Sequence, residues 1–230
     1  MHHDWNPLDL NDIVADEFVC PSHAHAEHVS LMASRPVKTV HHGIPIEEYP
    51  FKEEKKDYLL FLGRMSPYKG ADRAVEIAKE VGEELIVAGM DENVESQDYV
   101  FKVMKKANEY GFSYLGKVSL EKKLELLADA KAVLLPYRRE YMGVFEIIFV
   151  EAMACMTPVI TTRLGSAEEE VIKDGETGFL VERDFQSAIG RLDEIENEQC
   201  RKRAKAFKLK RMIDQLKEVL MYDGTTCSSC

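Results

Sequence analysis

No stretch of this sequence approaches the ~20 consecutive apolar residues that a membrane-spanning helix needs. The N-terminal segment "MHHDWNPLDLND" lacks the apolar core of a secretory signal. Positive charge is also scarce. Thirty Lys and Arg face 41 Asp and Glu, giving a formal net charge of -11 and a pI near 5.2. That balance argues against general nucleic-acid binding, so any bound phosphate must be held locally by placed groups. Cysteine is sparse: Cys20, Cys155 and Cys200 are scattered, which suits reduced thiols in a cytosolic protein. Cys227 and Cys230 form "CSSC" at the chain end, read as a loose tail rather than a redox pair. There is no internal repeat, no low-complexity segment, no GK[ST] phosphate loop and no GxGxxG after a strand. The last absence counts against NAD.

What is present is alternation. The short apolar runs "VKTVHHG", "YLLFLG", "ELIVAG", "FSYLG", "AVLLPY", "PVITT" and "GFLV" are each bounded by turn residues. Between them lie segments of helical period: Ala71–Val81, Gln97–Tyr110, Leu120–Asp129, Phe145–Cys155 and Gln186–Glu194. Strands alternating with helices predict a parallel sheet covered on both faces, and continuous rather than alternating apolar runs agree. The first fifty residues differ. "NDIVADEFVCPSHAHAEHVSL" offers one buried-looking stretch and then a helix, and "RPVKTVHHGIPIEEYPF" leads into the linker "KEEKKD". A complete domain is expected from about residue 57. A last helix is expected over Cys200–Tyr222, with Leu209, Met212, Ile213, Leu216, Val219 and Leu220 on one face.

Two stretches carry chemistry. In "FLGRMSPYKGADRAVEIAKEVG" a strand ends at Gly63, and Arg64 and Lys69 occupy the turn before a helix. Ligands of open α/β sheets sit at such carboxyl edges, and a helix N-terminus favours an anion. Arg64 can fork two oxygens and Lys69 adds a point charge, a match for a diphosphate. The plainer alternative is a solvated turn. In "GVFEIIFVEAMACMTPVI" the helix is apolar on nearly every face yet carries Glu146 and Glu151. A buried carboxylate costs several kcal/mol, roughly, unless partnered. Two vicinal hydroxyls of a sugar could partner Glu151; so could Arg64, Lys69 or Arg163.

"FLGRMSPYKG", "ELIVAG", "SYLGKVSLEKKLELLADAKAVLLPY", "VEAMACMTPVITT" and "DGETGFLV" occur in that order. Together they resemble the C-terminal, donor-binding domain of family 4 retaining glycosyltransferases (glycosyl transferases group 1), which have the GT-B fold. The resemblance is strong over 57–185 and weaker in the flanks. It implies one Rossmann-like α/β domain at 57–199. A remnant of an N-terminal acceptor domain with the interdomain crossover would fill 1–56, and a C-terminal helix with a tail 200–230. It implies transfer of a sugar from a nucleoside-diphosphate sugar, with UDP or GDP as carrier, to an acceptor saccharide or lipid-linked glycan. Arg64 and Lys69 would be the catalytic cations on the diphosphate. Glu151 would hold the ribose, Lys117 and Val118 the base, and Gly63 and Gly89 would lie close to the nucleotide. The backbone of Val144, Phe145 and Glu146 would face phosphate or sugar. No metal or other cofactor is implied, and the leaving phosphate itself can accept the acceptor's proton.

The sequence departs from that pattern at three places. Gly143 stands where the family has a second Glu, eight residues before Glu151, with Glu140 and Glu146 three residues to either side. Glu146 replaces a glycine, and "ACGTP" becomes Cys155-Met156-Thr157-Pro158. The short N-terminal portion leaves two expectations. One is a donor-binding half, either a fragment or one chain of a split enzyme. The other is a noncatalytic nucleotide-sugar-binding or regulatory subunit. A nucleotide-sugar epimerase fits the motifs less well. A partner chain or homodimer would cover the open cleft, and the location would be cytoplasmic or at the inner membrane surface. His23, His25 and His28 read as a surface helix before a metal site, and His41 and His42 as linker contacts. The basic run Arg201–Arg211 reads as a solvated face, with anionic lipid as the alternative. Glu168–Glu170 reads as a helix start.

Overall fold

The computed structural model describes residues 18–90, 97–141 and 143–220. "MHHDWNPLDLND" and "CSSC" therefore lie outside the described residues. The centre is a parallel six-stranded sheet: β3 (Leu59–Leu62), β4 (Leu85–Ala88), β5 (Ser113–Gly116), β6 (Ala132–Leu135), β7 (Val159–Thr162) and β8 (Gly178–Val181). Its spatial order is β5-β4-β3-β6-β7-β8, so the order reverses between β3 and β6. Leu59, Leu60 and Phe61 of β3 and all four residues of β6 are fully buried. These runs are apolar throughout because helices cover both faces.

The helices of this layer are α2 (Ala71–Val81), α3 (Gln97–Glu109), α4 (Leu120–Asp129), α5 (Ile147–Ala154), α6 (Ala167–Val171) and α7 (Phe185–Gly190). Helix α2 buries Ala71, Ala74, Val75 and Ala78, a stripe at helical spacing, and ends on Gly82 at φ 74°. Ser119 caps α4 by accepting from the Lys122 amide at 3.2 Å. Helix α5 is apolar on nearly all sides and buries every residue from Phe149 to Ala154.

Before this sheet lies a smaller βαβ unit: β1 (Phe18–Cys20), α1 (His23–Ala33) and β2 (Val37–Thr39). β1 and β2 pair in parallel as a separate two-stranded sheet, with Phe18 opposite Val37. The strand expected from "VKTVHHG" is therefore short and outside the main sheet. Cys20, Ala26, Val29 and Ala33 form its own small core.

Beyond shifts of a residue at helix ends, three helical segments differ from the sequence expectation. Helix α5 starts at Ile147 rather than Phe145, because Glu146 takes extended backbone angles (φ -97°, ψ 102°). The segment expected over 186–194 is α7 followed by a separate turn at Leu192–Glu194. The long C-terminal helix is broken into α8 (Asn197–Ala204) and α9 (Leu209–Leu220). The break has a tertiary cause. Phe207 turns inward and is buried, and Lys208 takes extended angles. The backbone there pairs with the crossover: Ile44 N–H donates to Phe207 at 3.0 Å, and Leu209 N–H donates to Ile44 at 2.9 Å. A Cβ at Gly43 would press on the backbone of Lys208 and Leu209, so this close approach needs glycine. Among the described residues no helix is long and apolar enough to cross a membrane.

Candidate active site

In a sheet of this order the crevice opens at the carboxyl ends of the strands where the order reverses. The turn Gly63–Gly70 after β3 and the segment from Pro136 after β6 flank that point. Two glycines hold the edge together. Gly70 (φ 71°) lies against the Pro136 carbonyl and Gly89 (φ 142°) against the Gly63 carbonyl, and a Cβ at either would collide with that oxygen. Gly63 itself has room for a Cβ, with the Lys69 stem at 3.7 Å and the Phe61 ring at 3.9 Å. Gly89 N–H donates to Gly116 at 2.8 Å, and Tyr114 donates to the Gly89 carbonyl at 3.3 Å. The loops after β3, β4 and β5 are thereby stacked into one rim.

Lys69 closes a turn of 3₁₀ helix (Pro67–Lys69) and folds back over the rim. Its ammonium sits 5.4 Å from the Tyr137 ring centre and 5.1 Å from that of Tyr141. It also pairs with the Glu146 carboxylate at 2.6 Å, both side chains being largely buried. Tyr141 donates to the same carboxylate, and Tyr137 does so at 3.3 Å. Burial, and secondarily the Glu146 charge, raise both phenols well above their ordinary range, so both stay protonated donors. Arg64 is exposed at the mouth and makes no ion pair among the described residues. Its charge works against the rise at Tyr141.

The N-terminus of α2 is partly engaged already. The Asp72 amide donates to the Tyr99 hydroxyl at 3.2 Å, and the Asp72 carboxylate accepts from Tyr99 and Arg138, each at 2.8 Å. Among the described residues, Arg64 and the Lys69–Glu146 pair are charged groups placed to meet an anion or a polyol at this edge.

Glu151, in α5, is buried, with its side chain 9% exposed. It accepts from Lys123 of α4 at 2.6 Å and from the Tyr49 hydroxyl at 2.8 Å. Burial first, then Glu151, pushes the Tyr49 phenol up. The partner is none of the three cations named from sequence, since Lys69 pairs with Glu146 and Arg163 with Glu169 and Asp174. Lys117 is exposed and Val118 half-buried just after β5. Val144 is exposed. The Phe145 side chain turns away from the rim, its ring 5.4 Å from His42 and 5.9 Å from Phe207, so only its backbone is available to a ligand.

The glycosyl transferases group 1 family matches residues 46–211. The chain belongs to that family. An uncharacterized glycosyltransferase, MJ1178 of Methanocaldococcus jannaschii, is 28% identical over 192 residues, covering 82% of this chain and 52% of the relative. The chain therefore spans about half the length of that relative. Sucrose-phosphate synthase from Thermosynechococcus elongatus superposes with a TM-score of 0.78 at 19% identity, over 93% of this chain and 59% of the other. Anabaena Alr3699/HepE in complex with UDP-glucose superposes at 0.77 with 19% identity, over 92% and 65%. These likenesses establish the Rossmann-like fold of GT-B glycosyltransferases.

Among the departures of this group 1 chain, Gly143 is sterically tied to Tyr141. A Cβ at 143 would lie 2.5 Å from the Tyr141 ring and 3.3 Å from Glu146 Oε1. No side chain fits there while Tyr141 keeps its place. Met156 adopts φ 61°, the left-handed region that a glycine enters freely, and its side chain is buried. Sequence reasoning did not single out Tyr49, Lys123, Tyr137 or Tyr141. Of these, Tyr49, Lys123 and Tyr137 lie inside quoted stretches, and none of the four carries a spacing that marks it as a site residue.

Proposed function

We propose that this chain is the donor-binding half of a retaining glycosyltransferase that takes its sugar from a nucleoside diphosphate. The observation that carries the reading is the juxtaposition of a turn bearing Arg64 and Lys69 with Glu146, which precedes a buried helix that carries Glu151. Arg64 and Lys69 would spread the charge of the departing diphosphate, an electrostatic role. Glu151, paired with Lys123 at 2.6 Å, would accept from the ribose hydroxyls. Glu146 would leave Lys69 when the diphosphate arrives and turn toward the donor sugar, the place a carboxylate at 143 cannot fill. The base would lie against Lys117 and Val118. Uridine is the first base to test, because Alr3699/HepE is described in complex with UDP-glucose.

The unit at residues 18–56 fits the last part of an acceptor domain and its crossover. α9 would cover the rest of that domain or a partner chain. Its Ile213 and Leu220 are exposed, and none of its described residues is buried. An acceptor saccharide or lipid-linked glycan, and a cytoplasmic place at the inner membrane surface, complete the proposal.

A second reading, a nucleotide-sugar-binding subunit without catalysis, is favoured by one observation: the Lys69–Glu146 pair closes the cation that transfer requires. The test is a thermal-shift panel of UDP, GDP, ADP and CMP, followed by assay for free UDP from UDP-sugar. One diphosphate stabilising the wild type but not Arg64→Ala supports the site. Release above a Lys69→Ala control supports catalysis, and binding without release supports the second reading. No shift with any nucleotide overturns both.

A further inference from the structure

A cluster remote from the donor edge in sequence joins three elements. His23 opens α1, His41 lies in the linker after β2, and Glu170 lies in α6. One donor atom from each falls within 4.8 Å of the others. The His41 Nε2 is 2.8 Å from Glu170 Oε2, and the His23 and His41 rings meet edge to face at 5.2 Å.

We propose that His23, His41 and Glu170 bind a divalent transition-metal ion of the zinc type. Two imidazoles and one carboxylate form a donor set that suits zinc, cobalt(II) or nickel(II), with water filling a fourth position. His23 is exposed, so the ion and its water have an open approach.

Two of the three donors, Glu170 and His41, are held in advance. Glu170 Oε2 accepts from the His23 amide and Oε1 from the Ala24 amide, both at 2.9 Å, which fixes the carboxylate plane. Such outer hydrogen bonds are what orient metal ligands. The His41 ring is walled by Phe145 at 5.9 Å and Phe207 at 5.7 Å. A tetrahedral ion with bonds of about 2.0–2.1 Å keeps its ligands roughly 3.3 Å apart. The 2.8 Å contact between His41 and Glu170 therefore opens by about half an ångström, the ion replacing a shared proton. The bound ion would tie the small βαβ unit to the main domain through α6.

From sequence, His23, His25 and His28 read as a surface helix, with a metal set of those three as the lesser alternative. Only His23 belongs to the structural cluster.

The experiment is a cobalt(II) titration of the full chain in a Cys227→Ser/Cys230→Ser background, which removes the terminal thiols as competitors. The variant that decides is His23→Ala. Glu170 contacts the His23 backbone amide rather than its ring, so this change leaves the α1 contacts of Glu170 in place. We expect visible ligand-field bands of a four-coordinate ion at one equivalent, unchanged in His28→Ala and weakened at least tenfold in affinity in His23→Ala and Glu170→Gln. Zinc should raise the melting temperature of the wild type by a few degrees and leave that of His23→Ala unmoved. Absence of bands, or bands retained in His23→Ala, overturns the site and leaves a plain histidine–carboxylate contact beside a helix start.

Discussion

Replacing Glu146 with glutamine separates the two things its carboxylate does. In the structure it neutralises Lys69 at 2.6 Å and accepts from Tyr137 and Tyr141. Glutamine keeps an acceptor for the lysine and a shape for the tyrosines but loses the charge. A diphosphate drawn to Lys69 would meet the Glu146 charge at a distance of about 5 Å. At an effective dielectric of about 20, that repulsion is roughly 3 kcal/mol per unit charge, before solvent screening at the open edge. Removing it should tighten UDP by about 1.5–3 kcal/mol, or roughly 10- to 150-fold. The free protein should lose about 1–3 kcal/mol, because a largely buried ammonium is left with a neutral partner. Titration calorimetry with UDP and a melting curve without it measure the two effects separately. If Glu146→Gln lowers the melting temperature but UDP affinity stays within twofold of wild type, no diphosphate shares Lys69 with Glu146, and the site reading fails. If affinity rises while UDP release from UDP-sugar falls, Glu146 serves the donor sugar as well.

Three further outcomes are expected. Lys123→Met should destabilise the fold by about 2–3 kcal/mol, since Glu151 keeps only the Tyr49 hydroxyl; denaturant unfolding reads this. Wild-type protein should bind UDP more tightly than 2′-deoxy-UDP, and Glu151→Gln should reduce that difference, which competition binding measures. Stability should fall as pH rises above about 9, because burial holds the Cys155 and Cys200 thiols up at about 12 while the unfolded thiols ionise from 9. The folded state then binds more protons than the unfolded state, so each thiol contributes a loss of about 1 kcal/mol by pH 10. Lys55, lowered by burial to about 8, works in the opposite direction from pH 8 upward, so the slope should steepen in Lys55→Met and flatten in Cys200→Ala.

The main sheet was legible because each of its strands is a short apolar run between turn residues. Ala71–Val81 and Leu120–Asp129 were legible to the residue, because a glycine or serine marks their starts. What stayed hidden depends on residues far apart in the chain. The break before α9 arises from Ile44 pairing with the backbone around Lys208. Local periodicity reads straight through it, since Leu209 to Leu220 and the preceding turn share a helical pattern. Glu151 was readable as a buried carboxylate in need of a partner, but Lys123 was not readable as that partner. Lys123 sits in "LEKKLELL", where adjacent lysines look alike and only the packing of α4 on α5 selects one. The histidines teach the same lesson, because the sequence reads His23 as part of a surface helix while the fold also brings it beside His41 and Glu170 from two other elements.

Two of the three departures, Gly143 and Glu146, are linked through Tyr141 rather than being separate losses. Tyr141 occupies the space that a side chain at 143 would need. From there it donates to Glu146, which stands where the resemblance read from the sequence implies a glycine. Glu146 in turn pairs with Lys69, whose ammonium lies over both tyrosine rings. A glutamate restored at 143 would strike Tyr141 and bring a second negative charge beside Glu146, while glycine at 146 alone would leave two buried phenols and a lysine short of a partner. Gly143→Glu should therefore destabilise the wild type, and its cost should shrink when combined with Tyr141→Ala and Glu146→Gly. Melting temperatures of the single and triple variants test this. Additive costs would show that the three positions are independent and that the carboxylate has not simply moved from 143 to 146.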